Sequence, residues 1–385
     1  MASIVHHDGD SQGETSPSRI RLRRSIVILC VSGLIMGIAI LLLVLRQRNL
    51  YSVVILPSCG GQPFSPHAVN DRGQIVGLVA SPTGGYIVAL WDRQHGVQEL
   101  GLASKGPLAI NNSGQVAGTI IDANSNTSAF LWSDDVGVIR LRQGEAKNSG
   151  AYAINNNAQI VGSYQANDGT PRACLWADDA TLRDLNPPAA HASLAYRISD
   201  SGQILGAYGD GPDGRSCFWD LNNPGSSAWM PVPDDVNACH DMNNRGYVLA
   251  DMIRPDDRPG EFPQKYVVLW HKGRDLKWLF ALSGIDAASC RINDANQVVY
   301  SETHRSFLTK YFSRHSPPRE RLFLWDPIHG SVSLDKGLQL EATDRFVVRD
   351  LSNEGHIVGV VLSNQDVVKR AVFLDPITRK WRKRS

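Results

Sequence analysis

Strong charge of either sign is missing from this sequence. Its 39 basic and 38 acidic side chains nearly cancel, for a formal net charge of +1 at pH 7. Six of the Arg and three of the acidic residues precede residue 49, so the rest carries 39 − 6 = 33 basic and 38 − 3 = 35 acidic groups. That balance gives no field for a polyanion as large as nucleic acid, and none is expected as a partner. Cysteine is also scarce. Cys30 stands apart from Cys59, Cys174, Cys217, Cys239 and Cys290. An odd number cannot all pair, and no CxxC points to zinc or redox work. One disulfide is compatible with this set, but its partners are not fixed by sequence.

Catalytic signatures are absent too. HxxxH, GxSxG, HExxH and Walker patterns do not occur. GDGPDG at 209–214 matches GxGxxG, but a strand (217–219) follows where a pyrophosphate site needs a helix N-terminus. Asp122–Asn126 alternates oxygen ligands, yet lacks the sixth-position Gly and the closing Glu of a calcium loop. No catalytic residue, metal or cofactor is therefore expected. The 3.6-residue apolar period of a helix is missing throughout the second part of the chain.

What is present is a repeat. VNDRGQIVG, INNSGQVAG, INNNAQIVG, ISDSGQILG, MNNRGYVLA, INDANQVVY and LSNEGHIVG follow one another, anchored at Asn70, Asn111, Asn155, Ser199, Asn243, Asn293 and Ser352. The anchors are 41, 44, 44, 44, 50 and 59 residues apart. Each is followed by an apolar run of the type AFLW, then by a polar turn and a further short apolar run. The Asn/Asp/Ser/Gly cluster is hairpin chemistry, because these residues accept positive φ and bond their own backbone. Four short strands in roughly 44 residues is the size of a propeller blade. Trp and the equivalent Leu recur at one repeat position and read as core. So do Cys174 and Cys217, each two residues before a Trp.

The ends suggest a ring. Leu56 lies 14 residues before Asn70, as Leu141, Leu185 and Leu279 lie before their own anchors. The strand at 51–56 thus matches the fourth strand of a unit whose first three are missing, while the last unit stops near its own fourth. The expectation is an all-β, seven-bladed β-propeller over residues 50–385, with four-stranded blades closed by pairing of the N- and C-terminal strands. An open β-solenoid is the alternative. I-N-x-x-G-Q-V-x-G followed by A-F-L-W and a V-x-x-L strand resembles the HAF family of extracellular repeats, over essentially everything after residue 50. Residues 109–141 fit it best; Ala250 and Tyr300 stand where the repeat has Gly. The resemblance implies a secreted or surface-exposed β-repeat protein. It implies no reaction and no catalytic residues.

Residues 25–45 are 21 consecutive uncharged, mostly apolar residues, enough to cross a hydrocarbon core of about 30 Å. The run is too long for a signal-peptide core and meets Arg46 with no small-residue cleavage site. It predicts one transmembrane helix, an uncleaved signal anchor. Arg19, Arg21, Arg23 and Arg24 precede it and only Arg46 and Arg48 follow closely, so residues 1–24 are expected in the cytoplasm as a disordered basic tail. The repeats then lie outside.

From the Gly to the Trp position the seven copies count 14, 14, 14, 13, 20, 25 and 15 residues. The two expanded loops are neighbours. The longer, 303–321, contains Arg305, Lys310, Tyr311, Phe312, Arg314, His315 and Arg319, cations and aromatics suited to an anionic partner. These are the candidate binding residues. The expected function is a membrane-anchored, extracytoplasmic interaction module for a protein or an anionic cell-surface polymer. A propeller-fold hydrolase or lyase with a site at the central axis is the first alternative, and a structural cell-envelope component the second.

Overall fold

The computed structural model describes residues 50–377, apart from 143, 145, 147, 178–180, 187–189, 210–213, 222–228, 233–235, 255–263, 272–275, 282–288, 305–318, 336, 342 and 364. These residues are all-β. The chain enters with β1 (Tyr51–Ile55), then β2 (Ser65–Val69), β3 (Ile75–Ala80), β4 (Tyr86–Asp92) and the long β5 (Gly96–Ile110). Next come β6 (Val116–Ile121), β7 (Thr127–Ser133) and β8 (Gly137–Arg140). β9 (Ser149–Ile154), β10 (Ile160–Gln165), β11 (Pro171–Trp176) and β12 (Leu182–Asp184) form one antiparallel sheet. So do β13 (Ser193–Ile198), β14 (Gln203–Tyr208), β15 (Arg215–Asp220) and β16 (Trp229–Pro231). β17 (Val236–Met242), β18 (Tyr247–Arg254), β19 (Gln264–His271) and β20 (Lys277–Ala281) make the next. β21 (Arg291–Ile292), β22 (Val298–His304), β23 (Arg319–Asp326) and β24 (Gly330–Ser333) make another. The last strands are β25 (Arg345–Leu351), β26 (Ile357–Leu362) and β27 (Val368–Pro376).

Two pairings depart from simple succession. β1 lies against β27, with Val53 opposite Leu374, so the first strand completes the sheet β1-β27-β26-β25. β5 serves two neighbours: its first half pairs with β4 as far as Ala103, and its second half pairs with β6 from Ser104 onward. Gly101, at φ 69°, lies at the register shift of the β4 pairing, just before the strand changes partner. Four strands per copy would divide this segment into two strands, but their connection is short enough that both belong to one continuous strand, irregular around Gly101.

Each inner hairpin is built by its anchor side chain. Asn111 Oδ1 accepts from the backbone N–H of Ser113 (3.1 Å) and Gln115 (3.0 Å), and Gly114 adopts φ 82°. Asn70, Asn155, Asn243 and Asn293 repeat this geometry, and Ser199 and Ser352 supply a hydroxyl instead. The Gly four residues later, in the second strand, answers a different need. A Cβ on Gly162 would sit 1.9 Å from the carbonyl of Gly150, and one on Gly206 2.2 Å from that of Leu194. In both sheets a register shift in the inner strand is what brings the carbonyl over the glycine. Tyr300 escapes this constraint, because β21 pairs only as far as Arg291↔Val299 and leaves it beyond that ladder. Ala250 does not: β17 bulges at the equivalent place, between Cys239 and Asp241, with a second shift between Val236 and Ala238.

The core lies between sheets. Ala117 and Ala129 from β6 and β7 pack with Ile160, Cys174 and Trp176, and Val161 and Leu175 pack with Ile204, Cys217 and Trp219. The same holds across the chain ends, where Phe64, Ile75 and Trp91 meet Val358 and Phe373. The indoles of Trp176 and Trp219 donate to the carbonyls of Arg142 (2.7 Å) and Leu185 (2.9 Å) of the preceding sheet. Burying one such side chain contributes about 3 kcal/mol. The cysteines expected in the core are there: Cys174 and Cys217 are fully buried. Cys59, Cys239 and Cys290 are free as well, so no disulfide joins the described cysteines. No helix among the described residues is long and apolar enough to cross a membrane. The expected anchor, 25–45, lies outside those residues.

Candidate functional site: an axial chamber and its groove

The residue after each anchor is Asn or Asp in all seven copies, and the structure gives the reason. The N–H of Asp71 donates to Asn112 Oδ1, that of Asn112 to Asn156, Asn156 to Asp200, Asp200 to Asn244, Asn244 to Asp294, and Asp294 to Asn353. Asn353 N–H then donates to Asp71 Oδ1 at 2.7 Å, closing the cycle across 282 residues of chain. The anchors add a second layer: the amide of Asn111 donates to the carbonyl of Asn155 (3.1 Å), and Asn155 does the same to Ser199 (2.9 Å). Turn propensity explains the anchor position alone. The residue beside it is a clasp between neighbouring hairpins, and together these turns surround a cavity of about 180 Å³.

One step inward the sequence stops repeating. Two residues before the seven anchors stand Ala68, Ala109, Ala153, Arg197, Asp241, Arg291 and Asp350. Three small side chains leave space on one side of the axis, and four charged ones of alternating sign fill the other. The space is a chamber of about 450 Å³, lined also by His67, Lys105, Tyr152 and Arg349. Arg197 Nε meets Asp241 Oδ1 at 2.5 Å, while Asp241 Oδ2 accepts from the N–H of Ile292 (3.0 Å). Asp350 Oδ2 accepts from the N–H of Val69 at 2.8 Å. Arg291 donates to the carbonyls of Arg349 (2.9 Å) and Cys290 (2.8 Å).

The charges do not balance. Three guanidinium groups (Arg197, Arg291, Arg349) face two carboxylates (Asp241, Asp350), leaving 3 − 2 = +1 before Lys105 at the rim is counted. Arg349 is the uncompensated cation. No carboxylate among the described residues pairs with it, and its buried Nε has no hydrogen-bond partner. Burial pulls its pKa below the ordinary guanidinium value. Burial also pulls Arg291 down, with the nearby Arg197 acting in the same direction, and it raises the Asp350 carboxyl. Arg197 ends above its usual value because Asp241 more than offsets the desolvation. His67 is lowered to about 4, by burial first and by the Arg349 charge second, so it is neutral at pH 7.

Beside the chamber lies a groove of about 440 Å³ whose wall shares Lys105, Gly106, Pro107 and Tyr152 with it. Farther out the groove is walled by Tyr164, Gln165, Asn148, Thr119 and Ser163. The Tyr152 and Ser163 hydroxyls are 2.9 Å apart, Asn148 Nδ2 donates to Gln165 Oε1 at 2.8 Å, and the buried Thr119 hydroxyl has no partner. Gly169 and Pro171, at the β10–β11 connection, also line it. The groove therefore opens at the sheet end opposite the clasped turns.

Of the residues singled out from sequence, Arg305, Lys310, Tyr311, Phe312, Arg314 and His315 lie outside the described residues. Arg319 begins β23 opposite His304, at the sheet end away from the Asn293 turn. β18 and β19 reach Arg254↔Gln264 at the same relative end, before the other expanded connection. Asp122 is taken up by its own turn, its carboxylate accepting from the N–H groups of Asn124 (2.8 Å) and Asn126 (2.9 Å). The chamber residues were missed. Their signal was the single column two before the anchors, where Arg and Asp replace Ala in four successive copies.

No family model matches this chain, and no curated protein matches it. Solved structures do. Acylaminoacyl peptidase from Pyrococcus horikoshii is 10% identical at a TM-score of 0.50, over 80% of this chain and 52% of that one. A puromycin-hydrolyzing peptidase from Mycobacterium tuberculosis is 13% identical at 0.51, over 83% and 52%. A post-proline cleaving enzyme from Rickettsia typhi is 11% identical at 0.50, over 80% and 52%. The present chain spans about half the length of each. At such identities the likeness concerns fold alone, and the fold shared with these structures is the β-propeller.

Proposed function

We propose that residues 50–385 form a seven-bladed propeller that acts as a binding module, taking an anionic group of a protein or cell-surface polymer into its axial chamber. The ring reading is supported by the β1–β27 pairing and by the cyclic clasp that ends on Asp71. The binding reading rests on one observation: Arg349 is a half-buried cation without a counter-ion, its Nε buried and unpartnered, lining a chamber of excess positive charge. A bound carboxylate or sulfate supplies the missing partner through charge-assisted hydrogen bonds. Residues 25–45 anchor the module in a membrane with the repeats outside, and the cationic loop 303–321 adds a contact for the same anionic partner. Calorimetric titration of the full-length protein with acidic and neutral polymers tests this. Acidic polymers should bind, more weakly as salt rises, and Arg349→Gln should reduce their affinity about 10-fold or more. Equal binding of neutral polymers, or an unaffected R349Q variant, refutes it.

A second reading has its own support. His67 is neutral at pH 7 and shares the chamber with Tyr152 and Arg349. A neutral imidazole beside an anion-holding guanidinium is the equipment of a proton-transfer site, as a hydrolase or lyase would need. Release of shorter products from a bound acidic polymer, lost in His67→Gln, is the outcome that would favour it.

A further inference from the structure

The chamber and the groove differ in chemistry, and that difference restricts the ligand. Positive charge sits at the axial end, in Arg349, Arg291 and Lys105. Beyond Lys105 the groove offers Tyr164, the amides of Asn148 and Gln165, and the Thr119 hydroxyl, with no further cation among the described lining residues. Thr119 Oγ1 is buried without a partner, an unmet hydrogen-bonding group on the groove wall. Cavities of about 450 and 440 Å³ are each of the size that holds a small ligand. They adjoin, with Tyr152 in the wall of both and its hydroxyl 2.9 Å from that of Ser163.

We infer that the ligand is an acidic oligosaccharide, bound with one carboxylated sugar in the chamber against Arg349 and the adjoining uncharged sugar in the groove between Tyr152 and Tyr164. This rests on the anion-binding reading above and goes further, to ligand class and direction. The carboxylate meets the uncompensated guanidinium. Hydroxyls of the next sugar suit a wall of amide and hydroxyl groups, and the apolar face of its ring suits a tyrosine. An acidic peptide fits less well. Its carboxylates recur along the chain, and past Lys105 each would be desolvated in the groove with no cation to meet it.

The test titrates full-length protein with glucuronate, with hyaluronan tetra- and hexasaccharides (glucuronate alternating with an uncharged sugar), and with hexaglutamate. The hexasaccharide should bind at least 10-fold tighter than glucuronate, and hexaglutamate no tighter than glucuronate. Tyr164→Ala should cost the hexasaccharide about 5- to 10-fold while leaving glucuronate unchanged. Gln165→Ala, a milder change on the same wall, should act in the same direction, and matching thermal midpoints would show that both variants fold. If glucuronate binds through Arg349 but added length gains nothing, this inference falls and the anion-binding reading survives. If hexaglutamate binds tightest, the ligand is a peptide and the inference is overturned. If none of the probes binds, both readings fail.

Discussion

Asn111 offers a direct measurement of what the repeat's anchor residue contributes. It is 3% exposed and its side chain takes part in four hydrogen bonds. Two are accepted from Ser113 and Gln115 N–H within its own turn; two are donated, to Gln115 Oε1 (2.8 Å) and to the carbonyl of Asn155 in the next hairpin (3.1 Å). At about 1 kcal/mol net per bond, Asn111→Ala should cost about 3–4 kcal/mol. Asn111→Ser is the natural control, because Ser199 fills the same position and still accepts from Gln203 N–H at 3.0 Å. It keeps the bond from the N–H four residues on and loses the one from Ser113 together with the amide donations. The Asn155 carbonyl retains the Ala158 N–H, so no orphan is created there. The serine variant should therefore lose about 2–3 kcal/mol, one bond less than the alanine variant. Guanidinium unfolding followed by tryptophan fluorescence reads both, since Trp132 and Trp176 pack in the clusters either side of this hairpin. Equal losses for the two variants would mean that the retained turn bond contributes nothing. Losses under about 0.5 kcal/mol for both would mean that the anchor is not structural at all.

Gly162→Ala should destabilise by more than about 2 kcal/mol, because its Cβ would meet the Gly150 carbonyl at 1.9 Å and backbone must move; an unchanged unfolding midpoint would contradict this. His67 titrates near 4 when folded and near 6.5 when unfolded. Its contribution is thus fully present above pH 6.5, is lost as pH falls because the unfolded chain takes up the proton first, and is gone below about 4. That loss is worth about 3 kcal/mol, from 2.5 pH units at 1.36 each. The stability difference between wild type and His67→Gln should therefore move against wild type by up to this amount from pH 7 to 4, and a pH-independent difference refutes the assignment. A reporter fused after Ser385 should be active outside the cytoplasm and the mature protein should begin at Met1; N-terminal sequence starting near residue 49 would instead show a cleaved signal.

The sequence by itself determined what acts over short range. Hairpins at Asn70, Asn111 and their equivalents follow from side chains bonding N–H groups two and four residues away, and the core Trp and Cys positions follow from strand alternation. The unusual pairing partner of the segment at 51–55 was also legible, as a fourth-strand pattern without its first three. Tertiary structure alone decided the rest. The clasp joins residues 41 to 282 apart, and each of its bonds runs between different copies of the repeat, so nothing local revealed the partners. The chamber is more hidden still. His67, Lys105, Tyr152, Arg197, Arg291 and Arg349 come from six inner strands, and each alone is an ordinary residue of a short strand. Only when the strands surround one axis do three alanines leave a space and one arginine lack an aspartate, because a cavity and an unpaired charge are properties of what surrounds a residue.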